Sequence, residues 1–460
     1  MRKLTDSARS SNLAADRVRS LLGRGFRRAF RLLAWCVVAL LLPLLVVEAG
    51  FRWLERRGKI GVARAARLEE AYQASAFRED GLGAGGYLAP GFSGFVKNEY
   101  GKPVEWVHNS LGFRTREEIS RQRPPGVLRI LMLGDSFVAG HRLGQEQTVG
   151  YRVESWLRRN GYPGCEVLIA AIEEPTTGLE YLETIGVQFE PQVVFLGITL
   201  GNDLAQVYSQ LEGKHRRYDL TGEPGDGARQ LVENPDWDRK ARWRYLKSLR
   251  IPASALLGPG KDPDARTSNP KRGNTSWPEF HSLRMIRDAW AERRARNEPQ
   301  AVRSYWRSYR EPKLIDGNGI GMHLNPAPPE IERTYELLFD LLEAYQRVCK
   351  RHGIRFVVAI HGQRYQVQPR DLEATLETYS LRRSHFDLMQ PNRRIAEFCM
   401  RKGIPCLDPT EEMAAVHERT GDQMFMPRGD MHWNALGAEA FFDGIKDELG
   451  RVLADVGVGQ

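Results

Sequence analysis

Residues 128–137 read LRILMLGDSF, and the way this stretch is read decides the fold. A short apolar run, 128–133, ends at Gly134 and passes directly into Asp135-Ser136-Phe137. Such a run, bounded by a Gly turn signal, is the sequence form of a strand buried on both faces. The segments around it alternate in kind. A helix is expected over 149–159, a strand over 166–171, a helix over 177–189 and a strand over 193–198. After a long interval the pattern resumes, with a helix at 330–352, a strand at 355–360 and a helix at 391–402. A last strand at 404–407 and a helix at 435–453 complete it. Strands alternating with helices predict an α/β fold whose parallel sheet is covered on both faces, here with five strands.

Ligands of open parallel sheets sit beyond the carboxyl ends of the strands. Ser136 therefore stands where a nucleophile is useful, and a helix starting there brings amide N–H groups and a positive dipole end to it. Taken alone, a Ser or Asp after a strand is more often an ordinary turn or helix cap. Two further segments change that balance. Gly201-Asn202-Asp203 follows the third strand, and an Asn amide at that edge can donate to developing negative charge. Asp430-Met431-His432-Trp433-Asn434 precedes the last helix. Alternate residues of an extended segment point the same way, so Asp430 can orient the His432 ring as a base for Ser136. A lone Asp-x-His also occurs as a metal-ligand fragment, but no second His pair with zinc spacing accompanies it.

The three segments, in this order, resemble the SGNH (GDSL-like) hydrolase family. The resemblance covers roughly residues 128–204 and 330–453. It implies a flavodoxin-like three-layer sandwich, a catalytic triad of Ser136, Asp430 and His432, and an oxyanion hole built from the Ser136 amide and Asn202. The third donor of the family comes from a Gly after the second strand. Ala171 occupies that position here, followed by Ile172-Glu173-Glu174-Pro175. A backbone amide does not require Gly, so Ala171 completes the expected hole, although two carboxylates beside it oppose negative charge. Asp135 is expected near the same pocket, and His361, which ends the fourth strand at the same sheet edge, either lines it or only closes a turn. The Asp-x-His-Trp-Asn form is similar to the branch that contains alginate O-acetyltransferases. The lead-in Asn109-Ser110-Leu111-Gly112-Phe113-Arg114 resembles that of membrane-anchored bacterial members. The function implied is a serine esterase or O-acyltransferase acting on an acylated carbohydrate or another small ester, with no cofactor and no metal. The alternatives are a non-catalytic glycan-binding or assembly protein on the same frame, and a lipid-directed esterase.

Charge and hydropathy organise the rest of the 460 residues. The net charge is +9, yet residues 1–31 hold nine Arg or Lys against two Asp, which is +7 of it. The body is close to neutral, so nucleic acid is not an expected partner. The basic tail, 1–29, precedes an apolar run, 32–47, that reads LLAWCVVALLLPLLVV. A membrane-spanning helix over 30–51 is expected, with a cytoplasmic N-terminus and a body on the periplasmic or outer side. A cleaved signal peptide competes with this reading, but the run is long and no small-x-small site follows cleanly. Residues 52–127 read as a linker and small extension, and 128–455 as the hydrolase-like domain. An insertion at about 205–328 lacks strong periodicity and suits a cap. Within it, Arg284 to Arg310 interleave with Trp290, Tyr305, Trp306 and Tyr309, a composition suited to an acidic glycan or to a solvated helix. The five Cys show no metal spacing, and Cys399 and Cys406 read as free buried thiols in preference to a bridge.

Overall fold

The computed structural model describes residues 76–78, 82–98, 103–212, 319–378, 381–427 and 430–454, with short pieces at 42, 46–47, 49–50, 218–221, 230–233 and 456. The basic tail, nearly all of the apolar run 30–51, the linker 52–75 and most of the insertion, including its Arg and aromatic cluster, lie outside these residues. Among the described residues no helix is long and apolar enough to cross a membrane.

The strands are β1 (Ser93–Lys97), β2 (Pro103–Val107), β3 (Arg129–Gly134), β4 (Glu166–Ala171), β5 (Val193–Thr199), β6 (Tyr218–Thr221), β7 (Gln230–Glu233), β8 (Arg355–His361) and β9 (Cys406–Leu407). The helices are α1 (Ser136–Ala139), α2 (Val149–Arg159), α3 (Pro175–Thr184), α4 (Asp203–Leu211), α5 (Pro329–Arg351), α6 (Arg364–Val367), α7 (Pro369–Thr378), α8 (Gln390–Lys402), α9 (Thr410–Thr420) and α10 (Ala435–Ala454). The central sheet runs β4-β3-β5-β8-β9 with every pairing parallel. β1 with β2, and β6 with β7, form antiparallel hairpins.

Why the central strands read as unbroken apolar runs is visible in their packing. Leu131 and Leu133 of β3, with Leu196 and Ile198 of β5, enter one core with α3, α4, α5 and α8. Ile130 and Met132, with Val193 and Phe195, enter the other core with α2, α9 and α10. The period-2 alternation is present, but both faces are apolar, so the sequence shows a continuous run. The order reverses about β3, and Ser136 begins α1 directly after that strand. The carboxyl ends Gly134, Thr199 and His361 share one edge of the sheet.

Several elements depart from the sequence expectation. The helix expected over 177–189 starts at Pro175, a residue pre-set for the first helical turn, and gives way to a 3-10 turn at Gly186–Phe189. The last strand is reduced to Cys406–Leu407, because Pro405 accepts from the Val358 N–H but has none of its own to donate. A helix spans the expected start of the insertion at about 205. Residues Asp203–Leu211 form α4, whose Leu204 and Val207 are fully buried in the core with α5. Helices α6, α7 and α9 had no counterpart in the sequence reading. Cys165, Cys349, Cys399 and Cys406 are unbridged.

The extension before β3 is part of the body. Ala76, Leu88, Val96 and Trp106 pack with Ala139 and Ala171. Gly86 pairs in parallel with Ala171, which continues the sheet beyond its β4 edge. Arg114, 1% exposed, donates to the carbonyls of Ala139, Gly140 and Leu143 and stacks on Trp106 at 3.7 Å. Asn109 accepts from the N–H groups of Leu111 and Phe113 and so shapes the turn that delivers Arg114. The motif at 109–114 thus fixes the loop that follows the nucleophile position.

Candidate active site

Asp135 caps α1 by accepting from the Phe137 N–H at 2.9 Å, which holds Ser136 at the first turn of the helix. The Ser136 Oγ lies 2.6 Å from His432 Nε2. His432 Nδ1 lies 2.6 Å from Asp430 Oδ1, which also accepts from the His432 N–H at 3.0 Å. With the neutral ring donating from Nδ1 to the carboxylate, its Nε2 is left to accept from the Ser136 hydroxyl. Burial raises the Asp430 carboxyl, but the hydrogen bonds and charge of His432 outweigh it and hold the carboxyl well below the usual carboxylate range.

The loop bearing Asp430 and His432 is tied down from several sides. Met426 N–H donates to the His432 carbonyl at 2.8 Å, and Phe425 bridges to Trp433. Asn434 Nδ2 donates to the Gln423 carbonyl, and its Oδ1 accepts from Gly437 N–H at 2.9 Å at the start of α10. Arg364, 1% exposed, donates to the carbonyls of Met426 and Asp430 at 2.6 and 3.1 Å and pairs with Asp371 at 2.5 Å. Arg364 and Asp371 lie in the stretch between β8 and α8 that sequence reading left unassigned. An Arg in a polar loop looks solvated in sequence, and nothing local marks it as buried.

Asn202 sits at the cap of α4, and its Nδ2 donates to Asp135 Oδ2 at 3.0 Å. One amide hydrogen is thereby fixed, which orients the group that carries the second. Asp135 Oδ1 also accepts from Thr199 Oγ1 at 3.2 Å, so toward His361 Nδ1, at 3.1 Å, Thr199 acts as acceptor. The proton of neutral His361 is then on Nδ1. Burial lowers the His361 pKa to about 3. Burial also raises the Asp135 carboxyl, against the opposing bonds from Phe137 and Asn202. Asp203 Oδ2 accepts from Thr199 N–H at 2.7 Å, and burial, followed by the charge of Asp135, lifts its carboxyl well above its ordinary value.

That lift makes a pH prediction. A carboxyl raised on folding contributes stability that is complete below its unfolded value, about 3.9, and lost as pH rises through the folded value. Asp203→Asn removes the loss. The variant's melting temperature relative to wild type therefore climbs as pH rises from about 4 into the neutral range. Thermal melts across that range check it, and a pH-independent gap would sink it.

A cavity of about 480 Å³ opens over Ser136, with Asp135, Asn202, Ala171 and Glu173 in its lining. Phe77, Arg78 and Tyr87 of the extension also line it, as does Trp106. Of the expected residues, Ser136, Asp430, His432, Asn202 and Asp135 come together. Ala171 also lies in the lining, and its carbonyl accepts from Tyr87 N–H at 3.0 Å. The pocket reading of His361 is corrected. The residue is 2% exposed, outside the cavity lining, and packed against Phe137, Trp433 and Phe441, because its ring turns under α1 instead of outward. Glu173 is exposed at the cavity. Glu174 instead lines a void of about 10 Å³ together with Asp203 and Tyr345. A second cavity of about 430 Å³, with Gln366, Arg383 and Glu411 in its lining, touches none of these residues.

One lining residue was not anticipated. His141 follows α1, donates its backbone N–H to the Ser136 carbonyl at 2.8 Å, and sets its ring 4.4 Å from that of His432. Burial, then the charge of His432, lowers its pKa to about 3. Its only mark in sequence is its place five residues after Ser136.

No known family profile and no curated protein matches the sequence. Among solved structures, the chain is similar to a two-domain esterase active on acetylated mannans, at 10% identity and a TM-score of 0.33, over 71% of this chain and 50% of that one. It is also similar to an acetyl xylan esterase, at 9% identity and 0.32, over 70% and 100%. A third similarity is to TesA, at 12% identity and 0.30, over 71% and 99%. The chain thus spans half of the two-domain esterase and the whole length, or nearly so, of the other two.

Proposed function

We propose that the protein is a serine esterase or O-acyltransferase that works through an acyl-serine. The observation that carries this is the unbroken line Asp430–His432–Ser136, with both contacts at 2.6 Å, at the mouth of a cavity. His432 takes the Ser136 proton as Oγ attacks an ester carbonyl, and Asp430 stabilises the imidazolium that forms. The Ser136 amide and the Asn202 side chain stabilise the oxyanion. The imidazolium returns its proton to the departing alkoxide, leaving the acyl-serine. Water, or an acceptor hydroxyl, then gives up its proton to His432 and takes the acyl group, and the imidazolium returns that proton to the departing Ser136 Oγ.

The resemblance to SGNH hydrolases extends the proposal to acyl esters of a carbohydrate, with the run at 30–51 anchoring the chain in a membrane and the body on the far side of it. Carbonate extraction of membranes tests the anchor, and release of the full chain into the soluble fraction refutes it. The chemistry is tested by fluorophosphonate labelling of wild type, Ser136→Ala and His432→Ala. Labelling confined to wild type supports an activated Ser136. A folded wild type that takes no label refutes it.

Asn202→Ala removes one oxyanion donor and leaves Asp135 without that partner. Turnover falls by about 10²–10³ with KM little changed, the signature of a contact made mainly in the transition state. Initial rates on an aryl acetate measure it, and a loss confined to KM would remove Asn202 from the oxyanion hole.

A further inference from the structure

His141, Asp430 and His432 can each offer one donor atom, and these atoms all lie within 4.8 Å of one another. His141 lines the cavity over Ser136, so the group opens to solvent on that side. We propose that these three side chains form an inhibitory site for a zinc-like divalent transition metal.

Two imidazoles and one carboxylate are a donor set that zinc uses with its fourth position open. Zinc–ligand bonds of about 2.0–2.2 Å place tetrahedral donors roughly 3.5 Å apart, so closure from the present spacing takes shifts of about 1 Å. Calcium and magnesium prefer more numerous oxygen donors and do not suit this set. The backbone holds the ligands in place: the His141 N–H donates to the Ser136 carbonyl, and Asp430 accepts from the His432 N–H. Arg142 Nε donates to His141 Nε2 at 3.1 Å, so binding through His141 Nδ1 keeps that contact and binding through Nε2 displaces it.

Inhibition follows whichever nitrogen of His432 the ion takes. An ion at Nε2 consumes the lone pair that faces the Ser136 hydroxyl. An ion at Nδ1 displaces the proton shared with Asp430 and leaves the ring protonated at Nε2, a tautomer that cannot accept from Ser136. In both cases Ser136 loses its base.

The inhibition rests on the serine mechanism proposed above, whereas metal binding is tested independently of it. Full-length Ser136→Ala protein, with and without His141→Ala, is titrated with zinc chloride by calorimetry, and cobalt(II) serves as a spectroscopic probe of tetrahedral coordination. The expected result is one equivalent bound, a tetrahedral cobalt spectrum, and affinity at least about tenfold weaker without His141. In the otherwise wild-type chain, zinc blocks fluorophosphonate labelling and a chelator restores it, and His141→Ala needs at least about tenfold more zinc for the same block. His141→Asn carries the comparison if the alanine variant does not fold. Absence of zinc uptake by folded protein at about millimolar zinc, or equal affinity with and without His141, overturns the site.

Discussion

Replacing Ser136 with Ala lowers turnover of a small acyl ester by about 10⁶, with the melting temperature unchanged. The size follows from what is lost: without Oγ there is no acyl-serine, and His432 has no hydroxyl to deprotonate. Some catalysis remains, on the order of 10³–10⁴ over water, because the oxyanion donors and the cavity persist. Adding His432→Ala to Ser136→Ala brings almost no further loss, since each removes the same unit. Stability is unaffected because Ser136 is half-buried and Ala suits the first turn of α1. Initial rates for the two single variants and the double variant decide the matter. Wild-type turnover in Ser136→Ala would end the serine mechanism, and additive losses would mean that Ser136 and His432 act separately.

What could be read in the sequence was set by how local its physical cause is. The bounds of α2 and β4 match the expectation residue for residue, because buried runs and amphipathic periods are local signals. The Ser136, Asn202 and Asp430–His432 segments were legible for a related reason, since each follows a strand or precedes a helix at the sheet edge where ligands gather. The cavity wall formed by Phe77, Arg78 and Tyr87 was not legible. Its position depends on the Gly86 pairing to Ala171, a contact between residues 85 positions apart in the chain. Arg364 was missed on the same ground, and Arg114 was legible only as part of the 109–114 motif: a buried Arg satisfied by distant carbonyls carries no local mark that separates it from a solvated one. His361 was open to two readings because ending a strand fixes where a residue is but not which way its ring turns.

Asp430→Asn lowers turnover by about 10⁴ while leaving Ser136 and His432 in place. The carboxylate accepts from His432 Nδ1 and from the His432 N–H, and this fixes which ring nitrogen is free for Ser136. An amide can present its NH₂ to Nδ1, and the ring then settles with its proton on Nε2, where it faces Ser136 as a donor and cannot act as a base. The imidazolium also loses its compensating charge. The loss therefore appears in kcat and hardly in KM, because substrate does not bind through Asp430. Stability supplies an independent reading. A carboxyl depressed on folding contributes stability that is present above its unfolded value, about 3.9, and lost as pH falls through the lower folded value. Wild type is accordingly more stable than the variant at neutral pH, and the two converge as pH drops below about 4. Rates with thermal melts at both ends of that range separate two accounts. A kcat loss with a pH-dependent stability gap marks a carboxylate paired to His432. A kcat loss with a constant gap would mean that Asp430 matters only as part of the loop that carries the ring.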